Sequence, residues 1–311
     1  MMKRKAASAL IIWLLTAFFV AGSTRVYGWS NGGYSADPLN PDYGTHDWIA
    51  EHALDWLPSE EKQFLLDNKA VYLYSTELPD NSQAADGIGD TTNHHVYFFA
   101  DGSVQADVAA DRAEEEYVKA AAAYNAGNLS GAAKQLGIVT HYIADMAVFG
   151  HVMGTSTAWG AEVHHTSDYE PYVQTRTNSY EDDFNSFLVF DGALSTLSAY
   201  DAAVALANDT TFDAGGQYTC VWMDQNYDWS DAAFKNRSGE SLNLAVNIVA
   251  DMLHTFYSEV ATPTPSPSAS PTLSPTPTPE IPEFPLTLAL VLLIISVLPA
   301  VFITKKLGKA G

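Results

Sequence analysis

Cysteine is almost absent: Cys220 is the only one in 311 residues. One thiol excludes an internal disulfide and any thiolate metal cluster. In its apolar setting, Tyr218-Thr-Cys-Val-Trp222, it reads as a small buried side chain. Basic residues are scarce as well. Lys and Arg number 15 against 37 Asp and Glu, for a formal net charge of −22. Setting aside Lys3, Arg4, Lys5 and Arg25 at one end and Lys305, Lys306 and Lys309 at the other leaves 8 basic residues. Setting aside Glu280 and Glu283 leaves 35 acidic ones, so the interior of the chain carries −27. A field of that sign repels nucleic acid and anionic membrane at long range, and no nucleic-acid partner is expected. Strand-like alternation is rare, with Val96-Tyr-Phe-Phe99 the best short candidate, and no internal repeat is visible.

The two ends differ in character from the middle. Residues 1–28 have a basic head (Lys3, Arg4, Lys5), an apolar run from Ala9 to Ala21, and modest residues at Val26-Tyr-Gly28. That is the pattern of a secretory signal, and cleavage after Gly28 would make Trp29 the first residue. Residues 262–281 are a Thr/Pro/Ser-rich stalk that cannot bury a core and stays extended. Residues 282–311 begin Pro282-Glu-Phe-Pro285, continue as a charge-free, mostly apolar stretch from Leu286 to Thr304, and end in Lys305-Lys306. As a helix that stretch is about 28 Å long, enough to cross a bilayer core, and the lysines mark its cytoplasmic end. The tail resembles the archaeal Pro-Glu-Phe C-terminal sorting signal. That resemblance implies removal of the helix by an archaeosortase and attachment to a surface lipid; a plain single-pass anchor has the same topology. Export, with anchoring at the outer face of the cell membrane, is the expectation.

Residues 29–261 are long enough for one domain with a sizeable core. Most of this span predicts helix. Ile49, Ala53, Leu54 and Leu57 form a 3.6-residue stripe within 46–57. Ser59 followed by Glu60 and Glu61 opens another helix. Helices are also expected over 108–126, 128–148, 194–207 and 242–259. The fold class is all-α, a multi-helix domain with long irregular loops.

Histidine is where the chemistry gathers. Most of the 9 histidines fall in clusters: His46 with His52, His94-His95, His141 with His151, and His164-His165. His141 and Asp145 are one helical turn apart and project from one face, and His151 follows six residues later. Two imidazoles and a carboxylate turned into a helical interior are natural ligands for zinc-like metals.

The residues around these positions are similar to those of the bacterial zinc-dependent phospholipase C family. Gly44-Thr-His46-Asp-Trp-Ile resembles the family's first helix, whose His is a ligand. His141-Tyr-Ile-Ala-Asp145 with His151 matches its central His-Tyr-Leu-x-Asp-x5-His stretch at every ligand spacing. Leu78-Pro-Asp80 resembles its Pro-Asp segment, and His95-Val-Tyr97 its His-Phe-Tyr, so His95 is preferred to His94. Trp29 corresponds to the mature N-terminal Trp, a ligand through its amino nitrogen and carbonyl oxygen. Two places depart from the family. The interval from Asp80 to His95 is slightly long, which leaves Asp86 and Asp90 as rival ligands. The closing His-x3-Glu pair reads either as His165 with Glu170, which is preferred, or as His164 with Asp168.

The resemblance implies a helical fold of the phospholipase C and P1-nuclease kind. It also implies three zinc ions on Trp29, His46, Asp80, His95, His141, Asp145, His151, His165 and Glu170. Asp80 would bridge two ions and orient or deprotonate the attacking water. The implied activity is phosphodiester hydrolysis on a phospholipid substrate, in a monomer. A zinc nuclease of the single-strand-specific type and a non-catalytic surface protein stapled by its metals are the competing readings.

Overall fold

The computed structural model describes residues 43–90, 92–164, 168–177 and 183–261. Trp29 and the signal segment, His165, the stalk and the apolar tail lie outside those residues. Among the described residues no helix is long and apolar enough to cross a membrane.

The domain is all-α, as the sequence pattern predicts. Its helices are α1 (Thr45–Trp56), α2 (Ser59–Leu66), α3 (Lys69–Tyr74), α4 (Val108–Asn125), α5 (Leu129–Ala144), α6 (Glu170–Gln174), α7 (Ala199–Phe212), α8 (Cys220–Gln225) and α9 (Ala232–Ala261). The stripe in α1 buries Ile49, Ala53 and Leu54. Ser59 is the first residue of α2, not its cap, and Glu60 and Glu61 face the positive end of the helix dipole. The chain reverses between α4 and α5 at Gly127, with φ of 76°, and the Asn128 side chain caps α5 by accepting from Gly131 N at 3.0 Å.

The centre of the domain is α5. From Leu136 to Ala144 every residue is buried, because this end of the helix is mostly apolar and has α3, α4, α7 and α9 packed around it. A strand pair, Tyr97–Phe98 against Val104–Ala106, is antiparallel, and Tyr97 faces Ala106.

Three helix boundaries differ from the expected ones. The helix expected over 128–148 stops at Ala144, where Asp145–Ala147 tightens into a 3-10 turn and Val148 becomes extended. The helix expected from Leu194 begins only at Ala199, capped by Ser198. The residues before it are held in extended form by a ladder of side chains along α9. Asn243 accepts from Val189 N at 2.8 Å, Asn247 from Asp191 N at 3.1 Å, Asp251 from Ser195 N at 2.8 Å, and Thr255 from Leu197 N at 2.7 Å. These four side chains recur every fourth residue, so they line one face of a helix that starts at Ala232, well before Leu242.

Candidate metal centre

His46 sits in the first turn of α1 and is completely buried. That turn is closed by Asp47, whose carboxylate accepts from Gly44 N at 3.0 Å and from the Thr76 hydroxyl at 3.3 Å. Burial pushes the Asp47 carboxyl well above its usual range. Glu51, one turn on, accepts from Tyr43 Oη at 2.7 Å and from Lys69 Nζ. Asp47 and Glu51 therefore secure the helix start and its flank.

His141 reaches the centre because α5 runs unusually close to α3. At Gly137 an added Cβ would lie 2.2 Å from Tyr72 O and 2.8 Å from Ser75 Cβ. One turn further along, His141 Nδ1 donates to the Thr76 carbonyl at 2.6 Å. This fixes the tautomer and leaves Nε2 as the donor atom of a neutral imidazole. Asp145 follows one turn later, still helical in backbone, with Oδ2 3.2 Å from His141 Nε2. The two 3-10 turns after it, Asp145–Ala147 and Phe149–Val152, fold the chain back and bring His151 Nδ1 to 3.8 Å from the same oxygen.

Three more segments converge on Asp145. His46 Nε2 lies 3.1 Å from Oδ1. His94 Nδ1 lies 2.6 Å from Oδ2 and 3.1 Å from His141 Nε2, while its Nε2 donates to the Asp90 carbonyl. Asp80 Oδ1 stands 3.6 Å from His94 Nε2 and 3.9 Å from His141 Nε2. On the far side Glu170 Oε1 is 3.6 Å from His151 Nε2. His46, His141 and Asp145 each bring one ligand atom within 4.8 Å of the others, and so do Asp80, His94 and His141.

The electrostatics are those of an anionic nest with neutral nitrogens. Burial would lift Asp145, but His141, His151 and His46 outweigh it and hold the carboxyl well below its usual range. Burial would lower His94, yet the bond to Asp145 and the charges of Asp145 and Asp80 raise it to about 9. Burial lowers His151 to about 4 and pushes Glu170 well up, with Asp145 and Asp80 adding to the rise. Both nitrogens of His151, both carboxylate oxygens of Glu170 and Nδ1 of His46 are buried with no hydrogen-bond partner among the described residues. Nitrogen and carboxylate donors, buried and short of partners, fit zinc in kind. Bound cations would satisfy these atoms and offset the carboxylate charge.

A cleft of about 360 Å³ opens onto this centre, with His94, His95, Tyr97, His151, Met153 and Glu162 in its walls. The family model described as zinc dependent phospholipase C matches residues 45–210, over half of the chain and all of the described cluster. The chain belongs to the zinc-dependent phospholipase C family. That family is one of phosphoric diester hydrolases, and phospholipase C-type hydrolysis is the activity it carries. Among solved structures, the alpha toxin of Clostridium absonum is similar at 16% identity over 74% of this chain and 67% of that one, with a TM-score of 0.47. The alpha-toxin of Clostridium perfringens from avian strain SWCP is similar at 15% identity over 75% of this chain and 66% of that one, with a TM-score of 0.48. The chain thus spans about two thirds of either toxin. Among curated proteins none matches the chain.

Within this phospholipase C-family chain, the structure brings His46, Asp80, His141, Asp145, His151 and Glu170 together. Within the histidine pair it places His94, not the preferred His95, against Asp145. His94 enters the cluster, whereas His95 turns along the cleft wall and stacks on Tyr97 at 4.2 Å. Neighbouring residues of an extended segment point to opposite sides, so only one of the two can face Asp145. Asp86 is bound to Lys134 at 2.7 Å and to Tyr74 Oη at 3.1 Å, and takes no place at the centre. Asp90 reaches His94 through its main-chain carbonyl, not its carboxylate. The rival closing pair is also misplaced: Asp168 is exposed, and His164, also exposed, stacks on Tyr227 at 5.6 Å. Trp29 and His165, both expected as ligands, lie outside the described residues. Sequence reasoning missed the Thr76 carbonyl, the residue that fixes His141, because a main-chain acceptor leaves no mark on residue type.

Proposed function

We propose that the protein is a cell-surface, zinc-dependent phosphodiesterase of phospholipase C type. It hydrolyses a phospholipid to a diacyl- or dialkylglycerol and a phosphorylated headgroup. The observation that carries this reading is the convergence of His46, His94, His141, His151, Asp80, Asp145 and Glu170 at the floor of a cleft, with several buried ligand atoms lacking partners. Those seven residues would hold the zinc, and the family resemblance adds Trp29, His165 and a count of three ions.

Bound zinc would supply Lewis-acid polarisation of the phosphoryl group and a lowered pKa for water at the site. The chain's own residues do the rest. Asp80 is the carboxylate at the edge of the cluster, its side chain 13% exposed, where it can reach a water in the cleft. It orients the attacking water and takes its proton. The water oxygen forms the new bond to phosphorus, the bond from phosphorus to the glycerol oxygen breaks, and that oxygen leaves with the proton that Asp80 returns. His94 and His141 hold their rings still through the Asp90 and Thr76 carbonyls, so little reorganisation is needed. Export through the signal, with Trp29 as the new N-terminus, and tethering through the tail would keep the domain at the outer face, acting as a monomer.

The test is to measure zinc in the exported protein, sequence its N-terminus, and assay phosphatidylcholine vesicles and single-stranded DNA side by side. Zinc with release of the phosphorylated headgroup is the expected result, and His141→Ala and Asp145→Ala should lose metal and activity together. Cleavage of DNA alone would make the protein a nuclease. Zinc without either activity would make it a metal-stapled surface protein, and absence of zinc would end the case.

A further inference from the structure

Asp90 is a hub whose side chain the hydrolytic reading leaves without a role. Its Oδ1 accepts from Thr92 N at 3.2 Å and Thr92 Oγ1 at 3.4 Å, and from Asn93 N and Asn93 Nδ2, both at 3.2 Å. Its Oδ2 accepts from Asn93 Nδ2 at 3.1 Å and Tyr142 Oη at 3.2 Å, and lies 3.8 Å from Arg112 Nε. Arg112 Nε in turn donates to Tyr142 Oη at 3.4 Å. The main chain is equally committed. Asp90 N donates to the Pro79 carbonyl at 2.6 Å and Ile88 N to the Leu78 carbonyl at 2.8 Å, which zips this loop to the residues just before Asp80. The Asp90 carbonyl then accepts from His94 Nε2.

One residue therefore links three parts of the centre. It is joined through Pro79 to the Asp80 loop, through its carbonyl to His94, and through Tyr142 to the helix turn that carries His141. The Tyr142 ring completes the enclosure, 5.3 Å from the His94 ring and 5.5 Å from that of His141. A carbonyl acceptor on Nε2 directs the other nitrogen, Nδ1, at Asp145 and at His141 Nε2. That is the arrangement by which a partner of the non-ligating nitrogen sets the orientation and basicity of a metal-binding imidazole.

We propose that Asp90 is the positioning residue of the metal centre, clamped by Tyr142 and Arg112 so that its carbonyl presents His94 Nδ1 as a zinc ligand. This rests on the reading that the cluster holds zinc. The test uses stepwise zinc dissociation constants of the full chain, measured by chelator competition, together with melting of the metal-free protein. Asp90→Ala should weaken one binding step by about ten- to a hundredfold, the range typical of lost partners behind metal ligands, and leave the other steps within about twofold of wild type. Asp90→Asn keeps the turn towards Thr92 and Asn93, so it should restore part of that loss. Tyr142→Phe removes one hydroxyl without disturbing the fold and should weaken the same step by a smaller factor. A merely structural role would lower the melting temperature of the metal-free protein and weaken all steps alike. That result overturns the proposal, as does wild-type affinity at every step in Asp90→Ala. If the wild-type chain binds no zinc, the hydrolytic reading fails first and the proposal falls with it. If wild type binds zinc and only the variants behave as wild type, this proposal alone fails.

Discussion

His46 and His141 lie ring on ring, 4.2 Å between centroids and 18° from parallel, and their Nε2 atoms address the two different oxygens of Asp145. The pair comes from helices α1 and α5, nearly a hundred residues apart in the chain. Both rings are fully buried, so the stack fixes where the two helices cross at the floor of the cleft. Asp145 is thereby shared among imidazoles from three segments of the chain, which makes it the keystone of the cluster.

The choice between the adjacent histidines can be decided by a pair of single variants. His94→Gln should lose bound zinc and hydrolysis, since Nδ1 of His94 faces Asp145 at 2.6 Å. His95→Gln should keep its zinc, because that ring stacks on Tyr97 in the cleft wall. Metal analysis by mass spectrometry separates the two, and the reverse outcome would return the ligand role to His95.

The pH dependence follows from His94. In the metal-free protein its pKa is raised to about 9, so zinc must displace a proton from Nδ1 throughout the neutral range. Apparent zinc affinity should climb by about tenfold per pH unit for this one proton and level off above about 9. The sign for stability is the opposite. A raised folded pKa contributes stability that is complete below the unfolded value of about 6.5 and is lost as pH rises through about 9. Asp145, depressed by its histidines, contributes stability above about 3.9 that is lost as pH falls further. Melting of the chelator-treated protein should therefore peak between these limits, and an affinity for zinc that fell with rising pH would contradict the assignment.

Close packing of α5 on α3 gives a test of how His141 is delivered. Gly137→Ala forces a methyl group into the Tyr72 carbonyl, a backbone atom that cannot swing away. A cost of about 1–3 kcal/mol is expected from such overpacking, read as a lower denaturation midpoint. Because the helix must shift, the bond from His141 Nδ1 to Thr76 lengthens, and zinc affinity should fall as well. A variant with normal zinc affinity would show that the helix spacing does not govern the site.

The ladder along α9 separates stability from chemistry. Asn247 bonds to Asp191 N, to the Val189 carbonyl and to the Asn243 carbonyl. Asn247→Ala should cost roughly 2 kcal/mol, since two of these partners belong to the extended segment it holds in place. Cleavage within residues 188–197 by a broad-specificity protease should accelerate, while zinc content stays at the wild-type level. Loss of zinc would instead tie this segment to the centre.

Much of the architecture was legible because helical periodicity is local. The stripe in α1, the alanine-rich α4 and the one-turn step from His141 to Asp145 depend only on neighbours along the chain. Boundaries were less legible where distant partners decide them. No feature of residues 194–198 announces that Asn247, Asp251 and Thr255 will hold the segment before Ala199 extended. The early end of α5 is another such case: its consequence, the return of His151 to Asp145, is visible only in three dimensions. Glu170 was preferred in the sequence as half of the closing His-x3-Glu pair, and the structure buries it with Oε1 3.6 Å from His151 Nε2.

By itself the sequence determined the all-α class, the acidic character and the set of residue types able to ligate zinc, because composition and short-range spacing are properties of the chain. Tertiary structure alone decided which member of His94-His95 faces inward, that Asp86, His164 and Asp168 stand apart, and that Asp90 serves through its carbonyl. Those outcomes depend on which side of a loop meets the buried Asp145 and on which main-chain carbonyls lie within reach of a ring nitrogen. Residue identity does not encode either one.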